Sequence, residues 1–128
     1  MTLQPIKFIP VENLQSAETL LNESSGRAAV LAGGTDLLGT LKDAVHAEPP
    51  ELLIGLKSVK GSNQVTVDNA GIRIGALATL NEIAKNPVIR KDYGLLAEAA
   101  ASVASPQIRN IATIAGNLCQ EPRCWYYR

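Results

Sequence analysis

AAVLAGGTDLL, residues 28–38, is the stretch on which the fold turns: a short apolar run that empties into two glycines, a hydroxyl and a carboxylate. An uninterrupted apolar run bounded by glycine suits a buried strand entering a tight turn. The residues that follow, TDLLGTLKDAV (35–45), have the spacing of a short helix opened by Thr35 or Asp36. Working upstream, IKFIPV (6–11) alternates as a strand does. NLQSAETLLNES (13–24) then sets Leu14, Ala17, Leu20 and Leu21 at helical spacing, with Asn13 as N-cap and Gly26 as stop. Downstream, Pro49 and Pro50 end the second helical region, and ELLIGL (51–56) reads as a third strand. The order β-α-β-α-β predicts an α/β unit, a small parallel or mixed sheet carrying helices.

Beyond Gly61 the pattern changes. QVTVDNAGIRIGAL (64–77) is two alternating runs around Asp68-Asn69-Ala70-Gly71, which predicts a hairpin, since Asn and Gly tolerate positive φ. TLNEIAKNP (79–87) predicts a short helix in which Thr79 caps and Glu82 completes a capping box. YGLLAEAAASVAS (93–105) is rich in alanine. It predicts a buried helix with Leu95, Leu96, Ala99, Ala100 and Val103 near one face, ended by Pro106. A second apolar-plus-glycine segment, TIAGNL (113–118), reads as a loop after a β-branched run.

The chain has 128 residues, and its 12 basic side chains balance its 12 acidic ones. A balanced charge argues against nucleic acid as a partner. No stretch reaches the roughly 18 apolar residues of a membrane span, and Pro5 and Pro10 interrupt the opening residues where a signal peptide would need an apolar core. The expected location is the cytoplasm. Two cysteines are too few for a disulfide scaffold and fit a reducing compartment.

Two stretches have the chemistry of phosphate binding. In Ala32-Gly33-Gly34-Thr35-Asp36, glycine lets backbone N–H groups converge and a ligand come close, and a helix start adds partial positive charge. The pattern is neither G-x-G-x-x-G nor a P-loop, so a plain strand-to-helix turn competes with this reading. Thr113–Asn117 repeats the theme, and two such loops could close on one diphosphate through backbone donors. Cys119 and Cys124 are separated by four residues. From spacing alone free thiols outweigh metal ligands, because an iron–sulfur cluster takes about four thiolates and His46, the one histidine, is remote. Trp125, Tyr126 and Tyr127 between Arg123 and Arg128 read as a patch that packs on a core or partner. Ser102 and Ser105 lack a general base and a G-x-S-x-G setting, so any redox or transfer chemistry would belong to a cofactor.

The order of FIPVENLQSAETLL, LAGGTDLLGTLKD, LLIGLKSVKG and above all SPQIRNIATIAGNL resembles the FAD-binding medium subunit of molybdenum hydroxylases, the xanthine dehydrogenase, carbon monoxide dehydrogenase and 4-hydroxybenzoyl-CoA reductase group. The resemblance implies an FAD-binding fold of the vanillyl-alcohol oxidase type, with residues 1–56 as its first α/β subdomain and 57–128 as an incomplete second one. It implies that Ala32, Gly33, Gly34, Thr35 and Asp36 hold the FAD diphosphate with Thr113, Ala115, Gly116 and Asn117, and that Ala76 and Thr79 line the flavin cleft. The family often has glycine where this chain has Ala115, and alanine disfavours positive φ. In a subgroup with further cysteines the resemblance implies a [4Fe–4S] cluster, with Cys119 and Cys124 among its ligands. It also implies more chain after Arg128, a molybdenum-cofactor large subunit and a [2Fe–2S] small subunit as partners, and electron transfer through FAD to an external acceptor. The competing expectation is a non-catalytic module that folds without holding flavin by itself.

Overall fold

The computed structural model describes residues 5–45, 47–122, 124 and 126. The readings made of His46, Arg123, Trp125, Tyr127 and Arg128 lie outside the described residues. Tyr126 is described and fully exposed, so of the two expectations for the terminal aromatics, a core or a partner, it does not meet the first.

The expected β-α-β-α-β unit forms. Strands β1 (Lys7–Pro10), β2 (Ala28–Leu31) and β3 (Leu52–Gly55) make a parallel sheet in the order β1-β3-β2. The register sets Ile9 and Val30 beside Ile54. Helix α1 (Leu14–Glu23) starts at Asn13, whose side chain accepts from the Ser16 N–H at 2.8 Å. It ends where Ser25 and Gly26 turn left-handed, so Gly26 stops it as predicted. Ala17, Ile54, Val11 and Val59 form the first core cluster, with Ile9, Leu20 and Leu77 packed around it. Leu14 and Leu21 are exposed rather than inward, because the helix meets the sheet along the narrower line of Ala17 and Leu20. Helix α2 (Leu37–Lys42) follows β2 and buries Thr40 and Leu41.

The second part opens with the predicted hairpin, β4 (Val65–Asp68) and β5 (Gly71–Ile74), with Asp68 opposite Gly71. Its turn is held by the Asp68 carboxylate, which accepts from the Ala70 N–H at 2.8 Å. The positive φ falls on Gly71, not on Asn69. Helix α3 (Leu80–Lys85) has the full capping box: Thr79 Oγ1 accepts from the Glu82 N–H at 3.2 Å, and Glu82 Oε2 accepts from the Thr79 N–H at 2.7 Å. Asn86-Pro87 both closes α3 and opens α4 (Pro87–Asp92), a helix the sequence reading did not separate; Asn86 caps it through Val88 and Ile89.

Helix α5 (Gly94–Ser102) buries Ala97 and Ala100, whereas Leu95 is 83% exposed and Ala99 is exposed. The predicted face is thus turned, because the small alanines let α5 lie close to α3 and α4, and Leu95 is left outside. Pro106 does not end α5. That helix stops at Ser102, and Pro106 is the first residue of α6 (Pro106–Arg109), where its missing N–H costs nothing. The second core cluster joins Ala78, Leu80, Ile83, Ile89, Ala97, Ala100 and Ala112, with the hairpin residues Val65, Ile72 and Ile74 packed on it.

One prediction is overturned at the far end. TIAGNL is not a loop after a strand: Ile114–Leu118 is a helix, α7, capped by Thr113. Strand character is confined to an isolated antiparallel bridge between Thr113 and Thr79. The hydroxyl of Thr113 accepts from the Gly116 N–H at 3.2 Å, and that local bond draws the chain into a helical turn. Ala115 therefore needs no positive φ.

Candidate functional site

The site begins at the end of β2. Gly34 sits at φ +74°, a conformation glycine takes without a steric cost, and it turns the chain toward α2. Among the described residues, the N–H groups of Gly33, Gly34, Thr35 and Asp36 donate to no backbone carbonyl. A run of free donors on a turn makes a concave receptor for an anion. Helix α2 is only six residues long and Asp36 makes no side-chain cap bond, so the loop amides, rather than a strong helix dipole, carry the positive potential here.

The second segment is held rigidly against the second core cluster. Leu80 N–H donates to Ala112 O at 2.9 Å, Ile114 N–H to Ala78 O at 2.8 Å, and Ala115 N–H to Ala76 O at 3.2 Å. Thr113 is buried at the centre of this frame. Ala76 and Thr79, placed on the flavin cleft by resemblance, are thereby brought beside Thr113 and Ala115.

The two segments meet backbone to backbone. A Cβ on Gly33 would lie 2.2 Å from Ile111 O and 3.1 Å from Ala112 Cα. This contact separates two clefts that share Ala32, Gly33 and Thr113. The first, about 360 Å³, is lined by Gly34, Thr35, Asp36, Gly116 and Cys119. The second, about 470 Å³, is lined by Lys57, Lys60, Thr79, Glu82 and Ile111. Eight of the eleven expected cofactor residues thus border the clefts. Ala76, Ala115 and Asn117 line neither. The first two serve the frame through their mutual hydrogen bond, and Asn117 Oδ1 accepts from Gln120 Nε2 at 3.3 Å.

Sequence reasoning missed the two lysines of the second cleft. They stand in LKSVKG, which has no periodic signal and was valued only as part of a resemblance. After α7 the chain turns back to the first loop, where the Glu121 N–H reaches Asp36 Oδ2 at 3.4 Å. Cys119 and Cys124 are exposed free thiols. Among the described residues no group of three metal-ligating side chains comes together, so these residues do not by themselves supply the ligand set of an iron–sulfur cluster.

Known proteins resemble this chain in sequence and in fold. The family model described as FAD binding domain in molybdopterin dehydrogenase matches residues 4–123. The FAD subunit of nicotinate dehydrogenase from Eubacterium barkeri is 38% identical over 117 residues, which are 91% of this chain and 39% of that protein. The aldehyde oxidoreductase FAD-binding subunit PaoB of Escherichia coli K12 is 40% identical over 100 residues, 78% of this chain and 31% of its own length. Among solved structures, carbon monoxide dehydrogenase from Hydrogenophaga pseudoflava superposes with a TM-score of 0.87 at 30% identity, over 92% of this chain and 40% of that one. The chain thus spans about two-fifths or less of the length of these relatives. A family match across nearly the whole sequence, on a fold shared with a solved relative, places this chain in the family of FAD-binding domains of molybdopterin dehydrogenases.

Proposed function

We propose that this chain is the FAD-holding part of an electron-transfer subunit in a molybdenum-containing hydroxylase or dehydrogenase. The observation that carries the reading is the backbone contact of Gly33 with Ile111, which sets the free amides of residues 33–36 beside Thr113 and Gly116. Those residues fit a dinucleotide. The amides suit a diphosphate, the clefts on either side of the contact give its two arms room, and glycine leaves the backbone accessible.

When bound, FAD supplies a redox centre able to exchange electrons with iron–sulfur clusters and with an external acceptor. The chain's own work is to bind and orient. Gly33, Gly34, Thr35 and Asp36 offer N–H donors to the diphosphate. Thr113 keeps Gly116 turned into the first cleft, and Thr79 with Glu82 forms a wall of the second. Lys57 and Lys60 add positive charge on that side. No catalytic side chain of the protein is required.

In this reading the first subdomain ends near Leu56 and the second begins at Lys57, in keeping with the two core clusters, although Val59 and Leu77 join the first. The partners are a molybdenum-cofactor subunit and a small iron–sulfur subunit, as expected for a relative of the carbon monoxide dehydrogenase medium chain. Among the described residues no helix is long and apolar enough to cross a membrane, and two exposed free thiols suit the cytoplasm. A [4Fe–4S] cluster would need ligands besides Cys119 and Cys124 and is not included.

The test is to equilibrate the chain with FAD, remove the excess and record the visible spectrum. A retained flavin band at one equivalent supports the reading. A folded, colourless protein would favour the module that does not hold flavin by itself.

A further inference from the structure

We infer that Arg109 is a positioning residue for the cofactor site, acting through a strained turn and not through a contact with phosphate; the inference rests on the FAD reading above. An arginine four residues before Thr113 invites the opposite assignment, since guanidinium is a natural diphosphate partner. The geometry points elsewhere. Arg109 borders neither cleft. One of its terminal nitrogens, Nη1, donates to Val103 O at 2.8 Å and to Ala104 O at 3.0 Å.

Those two carbonyls belong to the link between α5 and α6. Val103 is extended, and Ala104 lies at φ +42°, a left-handed conformation that costs a residue with a Cβ. The guanidinium gives this turn charge-assisted donors. The consequence travels a short way. Ser105 caps α6 by accepting from the Ile108 N–H at 3.3 Å, and Ile108 O accepts from Ile111 at 3.0 Å and from Ala112 at 2.8 Å. Ile111 O is the atom against which Gly33 is packed. Arg109 therefore fixes the angle at which the segment 111–113 meets the first loop. Its charge is spent on two carbonyls, away from the clefts.

The test uses the full chain, with two readouts. In the cofactor-free protein, Arg109→Ala is expected to speed amide exchange of Ile111, Ala112 and Ile114 by about tenfold or more while Leu53 and Ile54 of β3 are unchanged. This arm stands even if the wild-type chain holds no flavin, so failure of the FAD reading and failure of this inference can be told apart. In FAD titrations, Arg109→Ala is expected to weaken binding by roughly tenfold. Ala104→Gly in the same chain is expected to restore most of it, because glycine adopts the left-handed turn without help. Arg109→Lys, with one nitrogen able to serve both carbonyls, is expected to stay near wild type. If Arg109→Ala fails to fold, the Arg109→Ala/Ala104→Gly chain takes its place, and a folded double variant with near-normal exchange at 111–114 supports the inference. Unchanged exchange at those amides in Arg109→Ala would overturn it. So would a loss of FAD affinity that Ala104→Gly does not repair, which would assign the guanidinium to the phosphates.

Discussion

At the scale of single residues, Gly33 has no room for a side chain. Its φ is ordinary, so conformational need does not explain the glycine. The reason is space, since a methyl group would stand 2.2 Å from Ile111 O, backbone that can yield only by moving α6 away. Gly33→Ala is therefore expected to lose FAD retention and to cost about 1–3 kcal/mol, the range for overpacking a close contact. Urea unfolding and the flavin spectrum together check this; a variant with wild-type stability and a full flavin band would refute the contact as the organising feature of the site. Gly116→Ala differs, because among the described residues outside its own helix its Cβ would meet the Thr113 hydroxyl alone, at 2.9 Å, which can rotate once it gives up its bond to the Gly116 N–H. A smaller loss is expected, about 0.5–1.5 kcal/mol for one neutral hydrogen bond. The sequence marks both glycines alike. Only the packing partner ranks them, and that partner is 78 residues or more away from Gly33.

At the scale of elements, local chemistry was legible and long-range contact was not. Asn13 and Thr79 were read correctly because each acts on backbone within three residues of itself. The succession of the first three strands and two helices along the chain was legible because glycine and proline punctuate it; their order in the sheet, β1-β3-β2, was not. The face of α5 was not: in a run of alanines hydrophobic period carries little signal, and the packing of small residues on α3 decides. TIAGNL was misread because a β-branched residue before glycine looks like a strand end, while the Thr113 hydroxyl makes it a cap. The capping box of α3 allows a direct check, since Thr79 serves both the helix and the second cleft. Thr79→Ser keeps the hydroxyl and is expected to match wild type. Thr79→Ala is expected to cost about 1 kcal/mol of stability, read as a fall of a few degrees in the midpoint of thermal unfolding. Equal midpoints for the two variants would mean that the cap contributes nothing.

At the scale of the whole molecule, the two core clusters meet at several points. Leu77 packs on the first and its neighbour Ala78 lies in the second, the Glu121 N–H reaches Asp36 Oδ2, and Gly33 packs against Ile111 at a further junction. A ligand anchored at that junction touches both parts, so its binding free energy should stabilise both. A ligand that binds only the folded state adds about 2.7 kcal/mol at a hundred times its dissociation constant. Calorimetric scans with saturating FAD are therefore expected to show one transition displaced upward. ADP, which keeps the diphosphate, should produce much of the same displacement, and riboflavin, which lacks it, almost none. The outcome depends on where the anchor lies. If the 33–36 amides and the Thr113 segment hold one diphosphate between them, both clusters must melt together once it is bound, even if they melt separately without it. Two transitions of which FAD moves only one would show that the ligand rests on a single subdomain, and equal shifts from riboflavin and ADP would move the anchor from the glycine loop to the walls of the clefts.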